Sequence, residues 1–376
     1  MSRLSPNLQS FLESRANAMN DGNTDLGSTL SHLAREDLFR AGIPSSLGGQ
    51  GNSFAEAMLL IADVAYHCLT SAFVFWGQRV FAEYLVQSEN EWLKHTLLPR
   101  ILSGECHGAT GLSNAIKNLA GIETLQVRAQ LNGDSLTLNG ALPWISNVPE
   151  NRFVAAAASQ GKESAVHIVA FPANAEGLHR SDDLKLLGLR ASATARLELR
   201  NVRLDTQWLI AEDGTAFLNR VRALFLLLQC GLSVGLIRRI LDEVERLHPR
   251  ESSLKKRHGA ASVAFEKLKS DWLALATADF IHGSDSIKNL FRTRIALSDL
   301  ALSVIHLELQ AVGGRGYLQS SGTERRWREI AFIPVVTPSV TQLANELTKL
   351  DRSNFTVKSS HERNYRPTAF IPAKNA

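Results

Sequence analysis

Disulfide chemistry has little to work with in this chain. Its 376 residues hold three cysteines, Cys68, Cys106 and Cys230. An odd number, without metal-ligand spacing and in apolar surroundings, excludes a disulfide scaffold and a zinc finger. It points instead to reduced thiols in a cytoplasm-like compartment. Charge of one sign is also lacking: 41 Lys and Arg against 37 Asp and Glu leave +4, and the basic residues are dispersed. A duplex-DNA stripe would be more basic and more continuous, so no nucleic-acid partner is expected. The densest basic patches, KKRH (255–258) and ERRWRE (324–329), are expected to be solvated helix faces, with an anionic phosphate ligand as the alternative. Long apolar runs are missing too. The longest, FLLLQCGLSVGLI (225–237), has about 13 residues, is too short to span a bilayer and reads as a buried helix. The N-terminal stretch MSRLSPNLQSFLESRANAMNDG is too polar for a secretory apolar core. A cytoplasmic protein without membrane insertion is the expectation.

What is present is an ordinary globular composition, 44% hydrophobic and 21% charged, in a chain long enough for two or three structural units. From Leu8 to about Leu102 the pattern is helical. LSHLAREDLFRAG (30–42) has apolar residues at helical spacing and is expected to stop at Gly42. A Pro/Gly loop, GIPSSLGGQG, follows. Residues 54–86 read as one or two buried helices, and NEWLKHTLLPRILSGE as another. At Cys106 the texture changes. VRAQLNGDSLTLNGALPWIS (127–146) alternates apolar and polar with Asn-Gly and Gly-Asp turn signals, and strand-like stretches continue to Leu204. Helices return at about 217–248, 260–282, 285–313 and 338–352, with Pro338 at a first helical position and a polar, extended tail from 359. Helices, then strands, then helices in separate blocks predict a multi-domain α+β architecture of segregated layers. The units are 1–105 (helical), 106–205 (β, barrel- or sandwich-like) and 206–376 (a four-helix bundle with a polar tail).

Three motif matches do not survive their context. GLSVG (231–235) fits a nucleophile-elbow pattern but lies inside a continuous apolar helix, where Gly231 and Gly235 serve close helix packing. GGRGYL (313–318) follows a helix rather than a strand and lacks the third glycine of a dinucleotide fingerprint. His248 and His258 are too isolated to suggest a metal site, and no metal is expected.

In chain order, five segments resemble the acyl-CoA dehydrogenase superfamily across roughly residues 25–350. LAREDLFRAGIPSSLGGQG looks like its leader helix followed by Gly-(Val/Ile)-Pro-x-x-x-Gly-Gly-x-Gly. LLPRILSGECHGATGLSNA looks like its approach to the flavin. GDSLTLNGALPWISNV is similar to its NG-x-K-x-(Trp/Tyr)-Ile-(Thr/Ser)-Asn strand. LGLRASATARLELRNVRLD and LQAVGGRGYLQSSGTERRWREI resemble its GLR and Q-x-x-GG-x-GY segments. The resemblance implies FAD held between the β-domain and the bundle, usually in a homotetramer; a homotetramer or homodimer is expected. Its implied reaction oxidises an acyl thioester, linked to CoA or a carrier protein, or a related organic substrate. Electrons pass to a transfer partner or to oxygen.

The resemblance also implies site residues. Trp144 and Ser146, alternating with Ile145 on one strand, are expected on one face, an indole against the flavin ring and a hydroxyl near the atom that accepts hydride. Gly111, Leu112 and Ser113 take the place of a Thr-Glu-Pro whose backbone approaches the flavin. Lys117 stands where a seryl phosphate contact is usual, as a point charge or as the mark of a rearranged cofactor site. Gln310, Gly313, Gly314 and Gly316 match a segment reaching the FAD of a neighbouring subunit, and Arg250 is a candidate pyrophosphate partner.

The base is missing. Taking the α-proton of a thioester suits a carboxylate with a raised pKa. Ungapped counting from Arg328 puts Thr337, Pro338 and Ser339 at the family's glutamate position, and Ser339 keeps the hydroxyl of the threonine that follows. The alternative position on an earlier helix falls on Phe225 and Leu226. Glu346 and Asp351 are expected to be surface residues. The catalytic residue is therefore unknown. Three functions stay open: an FAD-dependent acyl-thioester dehydrogenase, a flavin monooxygenase of the same fold, and an inactive binding or scaffold relative.

Overall fold

The computed structural model describes residues 2–247, 252–276, 284–319 and 321–362. Helix α1 (Pro6–Asp21) is capped by Ser5, whose side chain accepts from the Leu8 amide, and ends at Gly22 in the left-handed region. Helix α2 (Leu26–Arg35) is capped by Asp25. It stops seven residues before the expected Gly42, because Asp37 takes a left-handed φ of 57° and the chain turns through Leu38–Arg40. The long apolar stretch is two helices, α3 (Phe54–His67) and α4 (Leu69–Gln87), split where Cys68 becomes extended. A π-turn at Leu93–Leu97 leads into the short α5 (Leu98–Leu102).

The middle of the chain forms one mixed sheet. Its strands are β1 (His107–Ala109), β2 (Val127–Asn132), β3 (Ser135–Ile145), β4 (Phe153–Gln160), β5 (Val166–Pro172), β6 (Leu178–Arg180), β7 (Ala195–Asp205) and β8 (Leu209–Ala211), with α6 (Ser113–Leu119) between β1 and β2. The order is β6-β7-β3-β2-β4-β5-β8, and β1 pairs with β4. The β2–β3 hairpin turns through Gly133 and Asp134, as the Gly-Asp signal predicts, with Asn132 opposite Ser135. Strand β4 reads FVAAAASQ because both its faces are covered. Phe153, Ala155 and Ala157 enter the sheet's own core, while Val154, Ala156 and Ala158 join the helical core. Small side chains let backbone and helices approach there.

Helices α7 (Gly214–Leu247), α8 (Ser252–Ala274), α9 (Ser284–Val312), α10 (Gly322–Ile330) and α11 (Val340–Glu362) complete the chain. The N- and C-terminal helices share one apolar core. GLSVG lies within α7, with no strand-to-helix turn. A Cβ at Gly231 would meet the Met58 carbonyl at 2.9 Å, and one at Gly235 would overlap the Ala62 carbonyl. These glycines therefore bring α7 against α3 backbone to backbone.

Several expectations need correction. ERRWRE is no solvated face: Arg325, Arg326 and Glu329 are buried, and Arg326 Nε donates to Glu308 Oε2 at 3.0 Å. Glu346 is buried rather than superficial, because Arg222 on α7 reaches it at 2.6 Å; Asp351 is exposed and pairs with Lys288. Helix α8 begins near 252 rather than 260. Pro338 precedes the start of α11 instead of opening it, since Ser339 accepts from the Gln342 amide as a cap. Residues 359–362 continue α11 rather than an extended tail; the rest of the tail, Arg250 and His248 lie outside the described residues. Two helices, Gly214–Leu247 and Asp285–Tyr317, are long and apolar enough to cross a membrane, unlike the 13-residue run. The first is a core helix, 89% of its most apolar window being buried.

Candidate active site

A cavity of about 530 Å³ lies where α4, the end of β3, the loop at 186–189, α7 and the chain after α10 converge. That size suits a small-molecule site. Its wall is apolar and aromatic. Phe73, Trp76, Phe225 and Phe332 line it, with Phe332 edge-on to Phe73 at 4.8 Å and Phe225 edge-on to Trp76 at 4.9 Å between ring centroids.

The polar groups come from turns and strand ends. Gly111 follows β1 at φ 41°, and a Cβ there would overlap the Ala156 carbonyl, so only glycine fits. Ser113 opens α6 at the cavity edge. Trp144 is 62% exposed and faces the cavity beside Ser146. Ile145 between them is buried in the sheet's own core, though it also touches the cavity. The β3–β7 register shifts between Leu142 and Ile145, and the strand ends there. Ser146 Oγ lies 2.8 Å from Thr194 Oγ1, which lies 2.7 Å from Ser192 Oγ.

Beneath these residues runs a buried network that sequence spacing does not reveal. Asn147, in the left-handed region at φ 64°, donates to the Gly108 carbonyl at 2.9 Å and to Gln78 Oε1 at 3.1 Å. Its Oδ1 is thereby left to accept from His107 Nδ1 at 3.0 Å. Gln78 also accepts from the Gly108 amide at 2.7 Å and donates to the Ile101 and Cys106 carbonyls. Burial pushes the His107 pKa down, against the opposing hydrogen bond to Asn147. The network fixes where the end of β3 enters the cavity.

Thr337 lines the cavity, and its carbonyl accepts from Gln229 Nε2 at 2.9 Å. Phe225 lines it as well, whereas Leu226 turns into the core. Both positions at which a base is expected thus carry no ionisable group. The cavity lining among the described residues contains neither carboxylate nor histidine, and its charged groups are Lys117 and Arg328. Lys117 pairs with Glu123 at 2.8 Å. Burial opposes the charge of Arg328, but Glu324 and Asp21 outweigh it and hold the guanidinium above its ordinary range. The thiols offer no nucleophile: burial pushes Cys68 and Cys106 up to about 11 and Cys230 to about 12.

The remaining expected residues stand apart from this cavity. Gln310, Gly313 and Gly314 are exposed at the end of α9, where Gln310 accepts from Arg257 at 2.5 Å; Gly316 is buried nearby. Ser339 caps α11. A second cavity of about 530 Å³ holds none of them, and its charges are largely paired, as Arg239 is with Glu13 at 2.7 Å.

A helical layer, a sheet and a helical body make up a fold shared with solved structures of low sequence identity. The family described as "Acyl-CoA dehydrogenase, N-terminal domain" matches residues 8–105. The probable acyl-CoA dehydrogenase YngJ of Bacillus subtilis is 24% identical over 331 residues, 82% of this chain and 85% of that protein. The human mitochondrial short-chain specific acyl-CoA dehydrogenase is 23% identical, over 76% of this chain and 73% of that one. The glutaryl-coenzyme A dehydrogenase–glutaryl-CoA complex superposes with a TM-score of 0.81 at 18% identity, covering 94% of this chain and 96% of that one. A dibenzothiophene monooxygenase from Paenibacillus gives 0.78 at 13%, covering 91% and 94%. The chain is thus similar over most of its length to acyl-CoA dehydrogenases, and its residues 8–105 match that family's N-terminal domain.

Proposed function

We propose that this protein is an FAD-dependent oxidoreductase whose cavity at 73–337 holds the flavin ring beside an organic substrate, an acyl thioester in the first instance. One observation carries the reading. A glycine cradle at Gly111, an exposed indole at Trp144 and the Ser146–Thr194 hydroxyl pair meet on one side of an apolar cavity. These residues fit the group: Trp144 packs a flat ring, Gly111 admits close backbone approach, and Ser146, Ser113 and Thr110 offer hydroxyls. Bound there, FAD supplies two-electron chemistry. The chain's own part is to orient substrate, exclude water with the Phe73, Trp76, Phe225 and Phe332 wall, and present hydrogen bonds where charge develops. Gln310, Gly313 and Gly314, exposed on the far end of α9, suit contact with a second copy, in a homodimer or homotetramer. The buried reduced thiols suit a cytoplasmic setting. The working units are 1–105, 106–205 and 206–376.

A second reading is favoured by the lining itself. With Phe225 and Thr337 at the two base positions, the cavity suits flavin chemistry that takes no α-proton, such as oxygen transfer by a monooxygenase. The visible spectrum of the purified protein, followed by FAD titration, tests the first claim. A colourless protein that takes up no FAD overturns it and leaves a scaffold role. For a flavin-loaded protein, anaerobic bleaching by acyl-CoA or acyl-carrier-protein substrates marks the dehydrogenase. A product heavier by one oxygen atom, formed with a reductase and oxygen, marks the monooxygenase.

A further inference from the structure

Arg294 on α9 is 1% exposed, and its described contacts include no carboxylate. Its Nε donates to Gln229 Oε1 at 3.1 Å and its Nη2 to the Ile333 carbonyl at 2.5 Å. The third nitrogen, Nη1, is buried and without a partner among the described residues. Glu346 is already paired with Arg222, which also lies over the Phe291 ring at 4.8 Å. Burial alone drives the Arg294 pKa down, and the neighbouring Cys230 thiol is neutral. A buried cation left unpaired is costly unless something repays it.

Neither acceptor lines the cavity, but both lead to residues that do. Ile333 lies in the turn that carries Val335, Val336 and Thr337 along the cavity. Gln229, held by Arg294 through its Oε1, donates its Nε2 to the Thr337 carbonyl at 2.9 Å. One guanidinium therefore holds the 333–337 segment at two carbonyls, directly at Ile333 and through Gln229 at the cavity-lining Thr337. Fixed dipoles and charges of this kind act strongly where water is excluded.

We infer that Arg294 is a positioning residue: it clamps the 333–337 segment, and its unpaired charge favours negative charge arising in the cavity, a role that rests on the FAD reading above. Without a carboxylate in the lining, this cation biases the site towards anionic states, which suits a reaction that adds electrons to the bound group.

The test uses Arg294→Met, Arg294→Lys and Gln229→Glu in the full chain. Gln229→Glu keeps the shape, pairs the guanidinium and removes the donor to Thr337. Amide hydrogen exchange across 331–339, measured without added ligand, reads the clamp. About tenfold faster exchange is expected in Arg294→Met and Gln229→Glu, with Arg294→Lys close to the parent. The midpoint potential of bound FAD reads the charge. It is expected to fall in Arg294→Met and Gln229→Glu and to be kept by Arg294→Lys. Parent-like exchange in both neutralising variants overturns the clamp, and an unchanged potential overturns the electrostatic role. If Arg294→Met does not fold, Gln229→Glu decides both. A parent protein that binds no FAD defeats the functional reading and with it the charge role, while exchange still judges the clamp.

Discussion

The side-chain oxygens of Ser146 and Thr194 lie 2.8 Å apart, joining the end of β3 to the start of β7 at the cavity wall. Thr194 continues to Ser192 at 2.7 Å, so three hydroxyls form one chain, of which Ser146 and Thr194 line the cavity. Ser146→Ala removes that member, and Thr194→Val breaks the link behind it. Each is expected to weaken FAD binding about tenfold, roughly 1.4 kcal/mol. Fluorescence titration of FAD checks it; parent-like affinity in both variants would remove these hydroxyls from the site.

Gly111 has no room for a side chain. A Cβ there overlaps the Ala156 carbonyl on β4, and φ is 41°. Gly111→Ala is expected to destabilise the fold by about 3 kcal/mol, read by urea denaturation, and to abolish FAD uptake. A variant of unchanged stability would show that β4 yields.

His107 makes stability depend on pH. Its pKa is lower in the folded protein than the ordinary value, chiefly through burial. Below that ordinary value, about 6.5, the unfolded chain binds a proton that the folded one refuses. The stabilisation is complete above about pH 6.5 and is lost as pH falls from there towards the folded value. Denaturation midpoints between pH 5 and 7.5 should show this slope, and His107→Asn should flatten it. An equal slope in the variant would assign it to other groups.

Thr337 occupies the position where a base is expected. Thr337→Glu places a carboxylate against an apolar, aromatic wall, where desolvation raises its pKa. If the substrate is an acyl thioester, anaerobic flavin bleaching by acyl-CoA should rise about 100-fold. No gain across a broad thioester panel favours the oxygen-transfer reading.

Glu308 is fully buried and accepts from Arg326 and from Thr323 Oγ1, the latter at 2.8 Å. Glu308→Gln strands the arginine charge and is expected to cost about 3–5 kcal/mol. Thermal unfolding reads it, and a loss within a few tenths of a kcal/mol would mean that water reaches the guanidinium.

The parts of this molecule legible in the sequence are those set by neighbours along the chain. The α, β, α blocks, the Gly-Asp hairpin, the packing role of Gly231 and Gly235, and Trp144 beside Ser146 in one cavity all follow from local pattern. The residues that escaped attention meet across long separations. Glu346 reads as an ordinary exposed glutamate until Arg222, 124 positions away, is brought to it. ERRWRE reads as a solvated basic face until Glu308 and Asp21 arrive from other helices. The Gln78–His107–Asn147 network joins three segments whose spacing carries no signal. The register shift near the end of β3 is likewise invisible to a period of two.

Gly231 and Gly235 bring α7 against the α3 backbone, so the helical blocks on either side of the sheet in sequence cannot slide past one another without a steric clash. Together they form a fixed jaw. Leu186, Leu187 and Gly188, by contrast, line the cavity from a loop in which Leu187 is largely exposed. Insertions or substitutions in that loop should alter how fast ligands come and go, whereas changes along α3 and α7 should alter whether the protein folds.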